Sequence, residues 1–238
     1  MFGVPIEKIK KGQPEYAYRQ KGKVATLALG YQGGVKAMRA MDSGHELDSL
    51  SDEEVQELVN LWRGANPNIV KLWGIMEAAA KAAVTEGRTS FLPHGVVVSR
   101  SIDTNSGLDF LILQLPSGRS LYYPKPAITQ NRFGRPSVSY MGQNQTTKKW
   151  ERIETYGGKL AENLTQAVAR DCLADAITRL EEAGFPVVFH IHDEIVVDVS
   201  PEKQDLAEMK RLMAAVPKWA EGLPLKAEGW SNEFFKKD

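Results

Sequence analysis

Hydrophobic residues recur every three or four positions through most of the first ninety residues, a spacing that predicts amphipathic helices. The expected helices cover about Tyr16–Leu29, Val35–Met41, a stretch opened by Ser51, and a stretch from Pro67 to Gly87. Ser51 and Glu54 have the spacing of a capping box, and Asn66 followed by Pro67 has the order of a cap and a first-turn residue.

The hydrophobic period changes to two between Phe91 and Tyr123, as in half-buried strands. Short antiparallel strands are expected at Val96–Val98, Leu108–Leu115 and Ser120–Tyr123. The next stretch, residues 124–149, is polar and contains Pro, Gly, Asn and Gln, so we expect it to be a mobile loop or linker.

The helical period then returns for a long helix from Gly157 to about Glu182. Its apolar side consists of Leu160, Leu164, Val168, Leu173, Ile177 and Leu180. A helix at Glu202–Met213 and a strand at Leu223–Glu228 are expected near the end of the chain. Helices and strands in this order predict an α+β fold.

The segment Val187–Val199 has two β-branched apolar runs around a polar group, residues 190–194. As one strand, it would place Asp193 alone on an apolar face, which is costly for an unpaired carboxylate. As a hairpin, it has strands of about five residues and lifts the acids to a solvent-exposed rim. We prefer the hairpin. In both interpretations Asp193 and Glu194 stand at the end of a rigid scaffold, which suits a divalent cation.

Composition limits the class of protein. The chain has 238 residues, 42% of them hydrophobic, which is enough for one large domain or two small ones. It has no apolar run of membrane-spanning length and no signal-peptide pattern at its start, so we expect a cytoplasmic protein without a membrane partner. The single Cys172 excludes an internal disulfide and a multi-cysteine zinc site.

The formal net charge of zero conceals opposite charges at the two ends of the chain. Residues 1–41 contain eight Lys and Arg against two Glu, whereas residues 181–238 contain twelve acids against seven bases. This asymmetry points weakly to nucleic acid or nucleotides, and unevenly charged solvated faces explain it equally well.

Two helices carry polar stripes of potential functional interest. The stripe on the first helix recurs every fourth residue and consists of Arg19, Lys23, Leu27 and Tyr31. It could bind a polyanion through its bases and stack a base on its Tyr. The stripe on the long helix consists of Lys159, Asn163, Gln166 and Arg170 and could bond to groove edges or sugar oxygens. Taken alone, each stripe is more often a solvated polar face.

The segment 190–194 offers two kinds of metal site. Asp193 and Glu194 suit Mg²⁺, which takes one or two carboxylates together with phosphate oxygens. His190 and His192 have the spacing of a zinc pair, but no further His follows them. The chain also lacks a P-loop and a Gly-x-Gly-x-x-Gly that opens a helix. We therefore favour the oxygen-liganded cation over a zinc hydrolase.

These motifs occur in an order that resembles the C-terminal part of family A DNA polymerases, the bacterial DNA polymerase I group, and most closely its phage-encoded branch. The sequence His192-Asp193-Glu194 between Val and Ile runs resembles the third polymerase motif, whose Asp is a catalytic metal ligand. Arg19, Lys23 and Tyr31 have the spacing of the fingers helix, with Leu27 where that helix usually has Phe or Tyr.

The long helix extends the resemblance. Gln166, five residues before Asp171, resembles the family's glutamine that contacts the minor groove of the primer-template. The family's Asn lies one turn earlier, and in this chain it is shifted to Asn163. The resemblance covers nearly the whole chain, and the three motifs together are far more specific than any one of them.

The resemblance implies a fragment of a right-hand polymerase. Residues 1–147 would form a helical, fingers-like subdomain with a small β insertion, and residues 148–238 the distal half of a palm built on a hairpin and a long helix. The activity would be template-directed transfer of a nucleotide from a dNTP to a primer 3′ end, with Mg²⁺ as cofactor and primer-template DNA as partner.

The resemblance also assigns roles to the candidate residues. Asp193 would bind metal with support from Glu194, and His192 would shape the turn. Arg19 and Lys23 would neutralise the triphosphate, and Tyr31 would help to close the nascent base pair. The stripe on the long helix would contact DNA.

Two-metal catalysis needs a second carboxylate site, which the family supplies from a strand upstream of the fingers helix. This chain lacks that strand and the thumb, so we expect no primer extension by the chain alone. A separately encoded N-terminal polymerase fragment would then restore extension. The alternative is a non-catalytic remnant that binds primer-template DNA through the long helix.

Overall fold

The structure is a computed structural model that describes residues 3–131 and 133–235. Contacts along the backbone divide the chain into two compact units. Unit 1 consists of Met1–Phe91, Val97–Leu113 and Leu121–Leu164, and unit 2 of Leu92–Val96, Gln114–Ser120 and Thr165–Asp238. The elements form a mixed α and β fold with antiparallel sheets, so the expected α+β class is confirmed.

Unit 1 begins with four helices that match the hydrophobic pattern. They are α1 Tyr16–Leu29, α2 Val35–Met41, α3 Asp52–Ala65 and α4 Pro67–Glu86. The capping box of α3 is present, because Ser51 accepts a hydrogen bond from the Glu54 amide and the Glu54 carboxylate accepts one from the Ser51 amide. Gly87 ends α4 in the left-handed conformation that glycine favours at this position.

The predicted start of α4 is confirmed in position, since Asn66 is its N-cap residue and Pro67 its first residue, but the side chain of Asn66 does not act as the cap. Asn66 precedes α4, but its side chain caps no helical amide and instead donates a hydrogen bond to the Trp62 carbonyl oxygen at 2.8 Å. Asn66 thus closes the end of α3 while Pro67 begins α4 without a side-chain cap.

A four-stranded sheet follows in the order β1-β2-β3-β4. Its strands are β1 Ser90–Phe91, β2 Val97–Asp103, β3 Leu108–Gln114 and β4 Ser120–Pro124, which confirms the three expected strands. Val98, Leu111 and Leu113 are buried on one face of the sheet. On that side Arg100 donates to the Val84 carbonyl oxygen of α4 at 2.7 Å and to both carboxylate oxygens of Asp109.

The expectation of a mobile loop at residues 124–149 is wrong. Two strands of an antiparallel sheet, β5 Ala127–Gln130 and β6 Pro136–Gln143, lie in this region, and β7 Trp150–Glu154 follows directly after it. The central strand buries Ser137, Val138 and Ser139, and the Ser137 hydroxyl donates to the Thr155 carbonyl oxygen at 2.6 Å. Buried serines that satisfy their own hydrogen bonds break the apolar alternation from which strands are predicted.

The long helix is confirmed as α5 Gly157–Glu182, which contributes residues to both units. In unit 2 it packs its last turns against a two-stranded hairpin, β8 Val187–Ile191 and β9 Glu194–Val197. The core of unit 2 contains Leu173, Ala176, Leu180, Phe185 and Ile195. Helix α6 Leu206–Ala214 adds Met209, Leu212 and Met213 to its edge.

Two expectations for the end of the chain are wrong. The helix begins at Leu206 instead of Glu202, because Asp205 caps it by accepting a hydrogen bond from the Glu208 amide at 2.8 Å. The strand expected at Leu223–Glu228 is not formed, since Pro224 lacks the amide hydrogen that a strand ladder requires. Within the described residues, no helix combines the length and the hydrophobicity that a membrane span needs.

Candidate functional site

The preferred hairpin interpretation of Val187–Val199 is confirmed. Ile191 and Glu194 form its last cross-strand pair, so His192 and Asp193 are a two-residue loop at the tip of β8–β9. His192 has a φ of 51°, a left-handed conformation that hairpin loops of this length require and usually assign to Asn, Asp or Gly. We call the segment Val187–Val197 the acidic hairpin.

The tip of the acidic hairpin presents its carboxylates to solvent. Asp193 is exposed and Glu194 is half-buried, while the next residue, Ile195, is 9% exposed and anchors β9 in the core of unit 2. The described residues offer neither carboxylate a hydrogen bond or an ion pair, so their oxygens are available to a ligand. No three His, Cys, Asp or Glu side chains in the described ranges come close enough together to hold a metal ion. Protein groups near this tip can therefore supply only part of a coordination shell.

A groove of about 1460 Å³ in unit 2 runs beside the acidic hairpin. Its wall on α5 includes Gln166 and Arg170, and its wall on the hairpin includes residues 192–194. The structure thus brings together two of the predicted DNA-contacting residues and the predicted metal-binding residues. Gln166 and Arg170 are both exposed on α5.

The C-terminal segment forms another wall of this groove, which the sequence did not predict. Trp230 stacks on Phe235 with ring centroids 6.5 Å apart, and Phe235 meets Phe189 of β8 edge-to-face at 5.3 Å. The sequence signal was the aromatic content of residues 230–235, which contain one Trp and two Phe in six positions. Clustered aromatics near the end of a chain suggest packing against a neighbouring element.

The first half of the α5 stripe has partners within unit 1. Lys159 forms an ion pair with Glu162 at 2.8 Å. The Asn163 amide nitrogen donates to the Tyr123 hydroxyl oxygen at 3.0 Å. The pKa of Tyr123 is raised to about 12, because the effect of burial exceeds the opposite effect of this hydrogen bond. Asn163 is therefore tied to β4, and Tyr123 is a contact that no periodic pattern could reveal.

The stripe on α1 is exposed through most of its length. Arg19 lies over the Tyr16 ring with its guanidinium carbon 5.6 Å from the ring centroid. Lys23 is exposed, and Leu27 is 48% exposed although its neighbour Ala28 is buried. The helix ends at Leu29, so Tyr31 lies beyond it, in a turn.

This turn, residues 30–34, is fixed by three hydrogen bonds from separate helices. Trp73 of α4 donates to the Gly30 carbonyl oxygen at 2.9 Å, and Arg63 of α3 donates to the Gly33 carbonyl oxygen at 3.0 Å. The Gly158 amide of α5 donates to the Gln32 side-chain oxygen at 2.9 Å. A Cβ atom on Gly158 would lie 2.4 Å from the Tyr31 carbonyl oxygen, so only glycine allows this approach.

The turn therefore places Tyr31 against the first turn of α5, one residue from Lys159, although the two lie more than 120 residues apart in the sequence. Within unit 1 the predicted nucleotide contact Tyr31 and the predicted DNA contact Lys159 are neighbours.

The chain is similar to a protein named DNA polymerase from Bacillus phage SP02, with 47% identity over 242 aligned residues. The match covers the whole of this chain and 35% of the phage protein, so the chain spans about a third of the length of that relative. No protein-family model matches the chain. No solved structure matches it.

Proposed function

We propose that this chain is the part of a family A DNA polymerase that holds the incoming dNTP and the primer-template and supplies one metal-binding carboxylate. The observation that carries the proposal is the groove beside the acidic hairpin, where Gln166 and Arg170 of α5 line the same space as Asp193 and Glu194. A polymerase needs this arrangement, because the primer end must lie next to the metal ligands. The likeness to a phage protein named DNA polymerase supports the same conclusion.

The donor set of the acidic hairpin fits a hard divalent cation. Asp193, with Glu194 beside it, would hold Mg²⁺, which when bound neutralises the phosphate oxygens of the reacting nucleotide. Both residues offer oxygen ligands that the described residues leave unpaired, and the tip is exposed enough for a phosphate to approach. His192, which adopts a left-handed conformation in the two-residue loop, would shape the turn that presents Asp193.

The α1 stripe would bind the triphosphate. Arg19 and Lys23 are exposed cations one helical turn apart, so they can meet successive phosphates. Tyr31 would lie beside the nascent base pair, because its turn is fixed against the start of α5, whose Lys159 and Asn163 would face the primer-template. Leu27 stands where the family has an aromatic residue, so stacking on the incoming base would depend on Tyr31 alone.

Residues 1–147 would be the fingers-like subdomain with its β insertion, and residues 148–238 the distal half of the palm. The second carboxylate of a two-metal centre would come from polypeptide outside this chain. The phage relative is almost three times as long as the aligned region, so it has room for such a segment and for a thumb. We therefore expect no primer extension by this chain alone.

The test uses the purified chain with a primer-template, the four dNTPs and Mg²⁺. The chain alone should give no extension, and extension should appear when the remaining two thirds of the phage relative are supplied as a second polypeptide. Asp193→Asn should lower the restored rate at least about 100-fold, because a neutral amide cannot replace the metal-binding charge. Glu182→Gln is the control. It neutralises an exposed acid on α5, outside the acidic hairpin, and should leave the rate unchanged.

Extension by the chain alone would contradict the assignment as an incomplete polymerase. The competing proposal, a non-catalytic module that binds primer-template DNA, is supported by the exposed Gln166 and Arg170 on α5. It predicts primer-template binding that Asp193→Asn leaves intact and no extension with the second polypeptide.

A further inference from the structure

The sheet that was expected to be a loop carries a concentrated positive charge. Residues 124–154, which include the whole sheet, contain six Lys and Arg against two Glu, in a chain whose net charge is zero. Aromatic side chains of the sheet and of its β5–β6 turn are not fully buried: Tyr140 of β6 is half-buried, Trp150 of β7 is 65% exposed, and Phe133 of the turn is 70% exposed. Exposed aromatics between clustered bases are typical of surfaces that bind nucleic acid.

The feature is concentrated at the hairpin of β6 and β7. Its loop, residues 144–149, ends in Lys148 and Lys149, and Trp150 begins β7. Trp150 and Arg152 lie two residues apart on the same strand, so their side chains lie on one face of the sheet. We call the hairpin of β6 and β7 the basic hairpin. Its basic side chains are Lys148, Lys149 and Arg152, and its exposed aromatic side chain is Trp150.

The loop of the basic hairpin is ordered by Asn144. Its side-chain oxygen accepts hydrogen bonds from the Thr146 and Thr147 amides at 2.8 and 3.1 Å, and its nitrogen donates to the Glu151 carboxylate at 2.6 Å. The two lysines are therefore presented from a defined loop. Arg152 is likewise held, because one guanidinium nitrogen donates to the Lys125 carbonyl oxygen at 3.1 Å and to the Ser139 hydroxyl at 3.2 Å.

The positive charges are available for a ligand. Lys148 and Lys149 are exposed, and no carboxylate among residues 3–131 and 133–235 forms an ion pair with Lys148, Lys149 or Arg152. The nearest acid in the sequence, Glu151, points to the opposite face of β7 and already accepts bonds from Asn144 and Thr147. Glu154 is exposed on the same face of β7 as Arg152, so the basic hairpin has three cations near one carboxylate and keeps a net positive charge.

We infer that the basic hairpin binds a single-stranded nucleic acid. Lys148, Lys149 and Arg152 contact successive phosphates, and the exposed face of Trp150 stacks on one unpaired base. A single strand fits better than a duplex, because paired bases do not offer a free face to an aromatic side chain. The inference goes beyond the proposed polymerase site, since it requires no metal, no dNTP and none of the residues of the acidic hairpin.

The test measures binding of a fluorescein-labelled 20-nucleotide oligo(dT) to the full chain by fluorescence anisotropy, without Mg²⁺ or dNTP. Trp150→Ala should weaken binding about 5- to 100-fold, and Trp150→Phe should retain most of the affinity because it keeps a stacking surface. Lys148→Ala with Lys149→Ala should reduce the slope of log Kd against log salt concentration by about 1.4. Trp150→Ala should weaken binding of a duplex of the same length less than binding of the single strand.

Matched controls are available in unit 1. Phe91 is 81% exposed and lies on β1, so Phe91→Ala removes an exposed aromatic without touching the basic hairpin. Lys71→Ala removes an exposed lysine from α4. Both should leave oligo(dT) binding unchanged, and circular dichroism melting should show that every variant is folded.

Undiminished binding by both Trp150→Ala and the double lysine variant would overturn the inference. Loss of binding by the controls to the same extent would also overturn it, since the contact would then be a nonspecific charge effect. Failure of the polymerase proposal is distinguishable, because it would appear as absent primer extension while oligo(dT) binding still depended on Trp150.

Discussion

The acidic and basic hairpins are both antiparallel β-hairpins, and the side chains that they present have opposite charge. Each joins two antiparallel strands, and each holds one residue of its loop at a φ between 50° and 60°, His192 in the acidic hairpin and Lys148 in the basic one. The first presents two carboxylates, and the second presents three cations and an indole ring. A hairpin therefore fixes where side chains are displayed, while the residues at its tip decide whether a cation or a phosphate is bound.

The two hairpins also differ in how they are anchored. The acidic hairpin has a two-residue loop and is held by its strands, because Ile195 lies in the core with Leu173, Leu180 and Phe185. The basic hairpin has a six-residue loop that is organised by the side chain of Asn144. Precise placement of a metal ligand depends on a rigid, packed support, whereas phosphate contacts tolerate a softer one.

The largest expected effect tests the anchor of the acidic hairpin. Ile195→Ala should lower the free energy of unfolding by about 2–4 kcal/mol, because it removes a buried aliphatic group and leaves a cavity beside Leu180. Trp150→Ala in the basic hairpin should change it by less than about 0.5 kcal/mol, since that side chain is 65% exposed. Urea unfolding of the full chain measures both, and similar losses from the two variants would show that both hairpins are anchored through their strands.

The sequence predicted the acidic hairpin well because its signals are local. Runs of Val and Ile on both sides of a polar tip distinguish a hairpin from a single strand through the cost of burying Asp193. The three-stranded sheet β5–β7 was missed because its central strand buries Ser137 and Ser139, whose hydroxyls find acceptors only in the folded chain. Small polar residues in a strand give no periodic signal.

The candidate site was predicted only in part, because sequence patterns report only relationships between residues that are close in the sequence. Helical spacing groups residues on α1 or on α5, but it cannot show that Gln32 accepts a hydrogen bond from Gly158, which joins the two helices at Tyr31. It also cannot show that Asn163 is bonded to Tyr123 of β4. Contacts between residues distant in the sequence depend on tertiary packing, to which local patterns are insensitive.

A smaller effect is expected from the loop of the basic hairpin. Asn144→Ala removes three hydrogen bonds and should lower the stability of the β6–β7 hairpin by about 1 kcal/mol, without unfolding the rest of the chain. Hydrogen exchange of the amides of β6 and β7 should accelerate accordingly. Gln145→Ala is the matched control, because the Gln145 side-chain amide donates a long hydrogen bond of 3.4 Å to the Gln143 carbonyl oxygen. Equal acceleration by both variants would mean that Asn144 does not organise the loop.

The smallest expected effect separates the two loop residues of the acidic hairpin. His192→Gly should raise the free energy of unfolding by up to about 1 kcal/mol, because glycine adopts the φ of 51° without the steric cost borne by a residue with a Cβ atom. Asp193 does not have a positive φ, so Asp193→Gly should instead lower stability by about 0.5–1 kcal/mol through the added freedom of the unfolded chain. Urea unfolding of the full chain measures both changes, and a loss of stability in both variants would mean that contacts of the His192 side chain outweigh the conformation of its backbone.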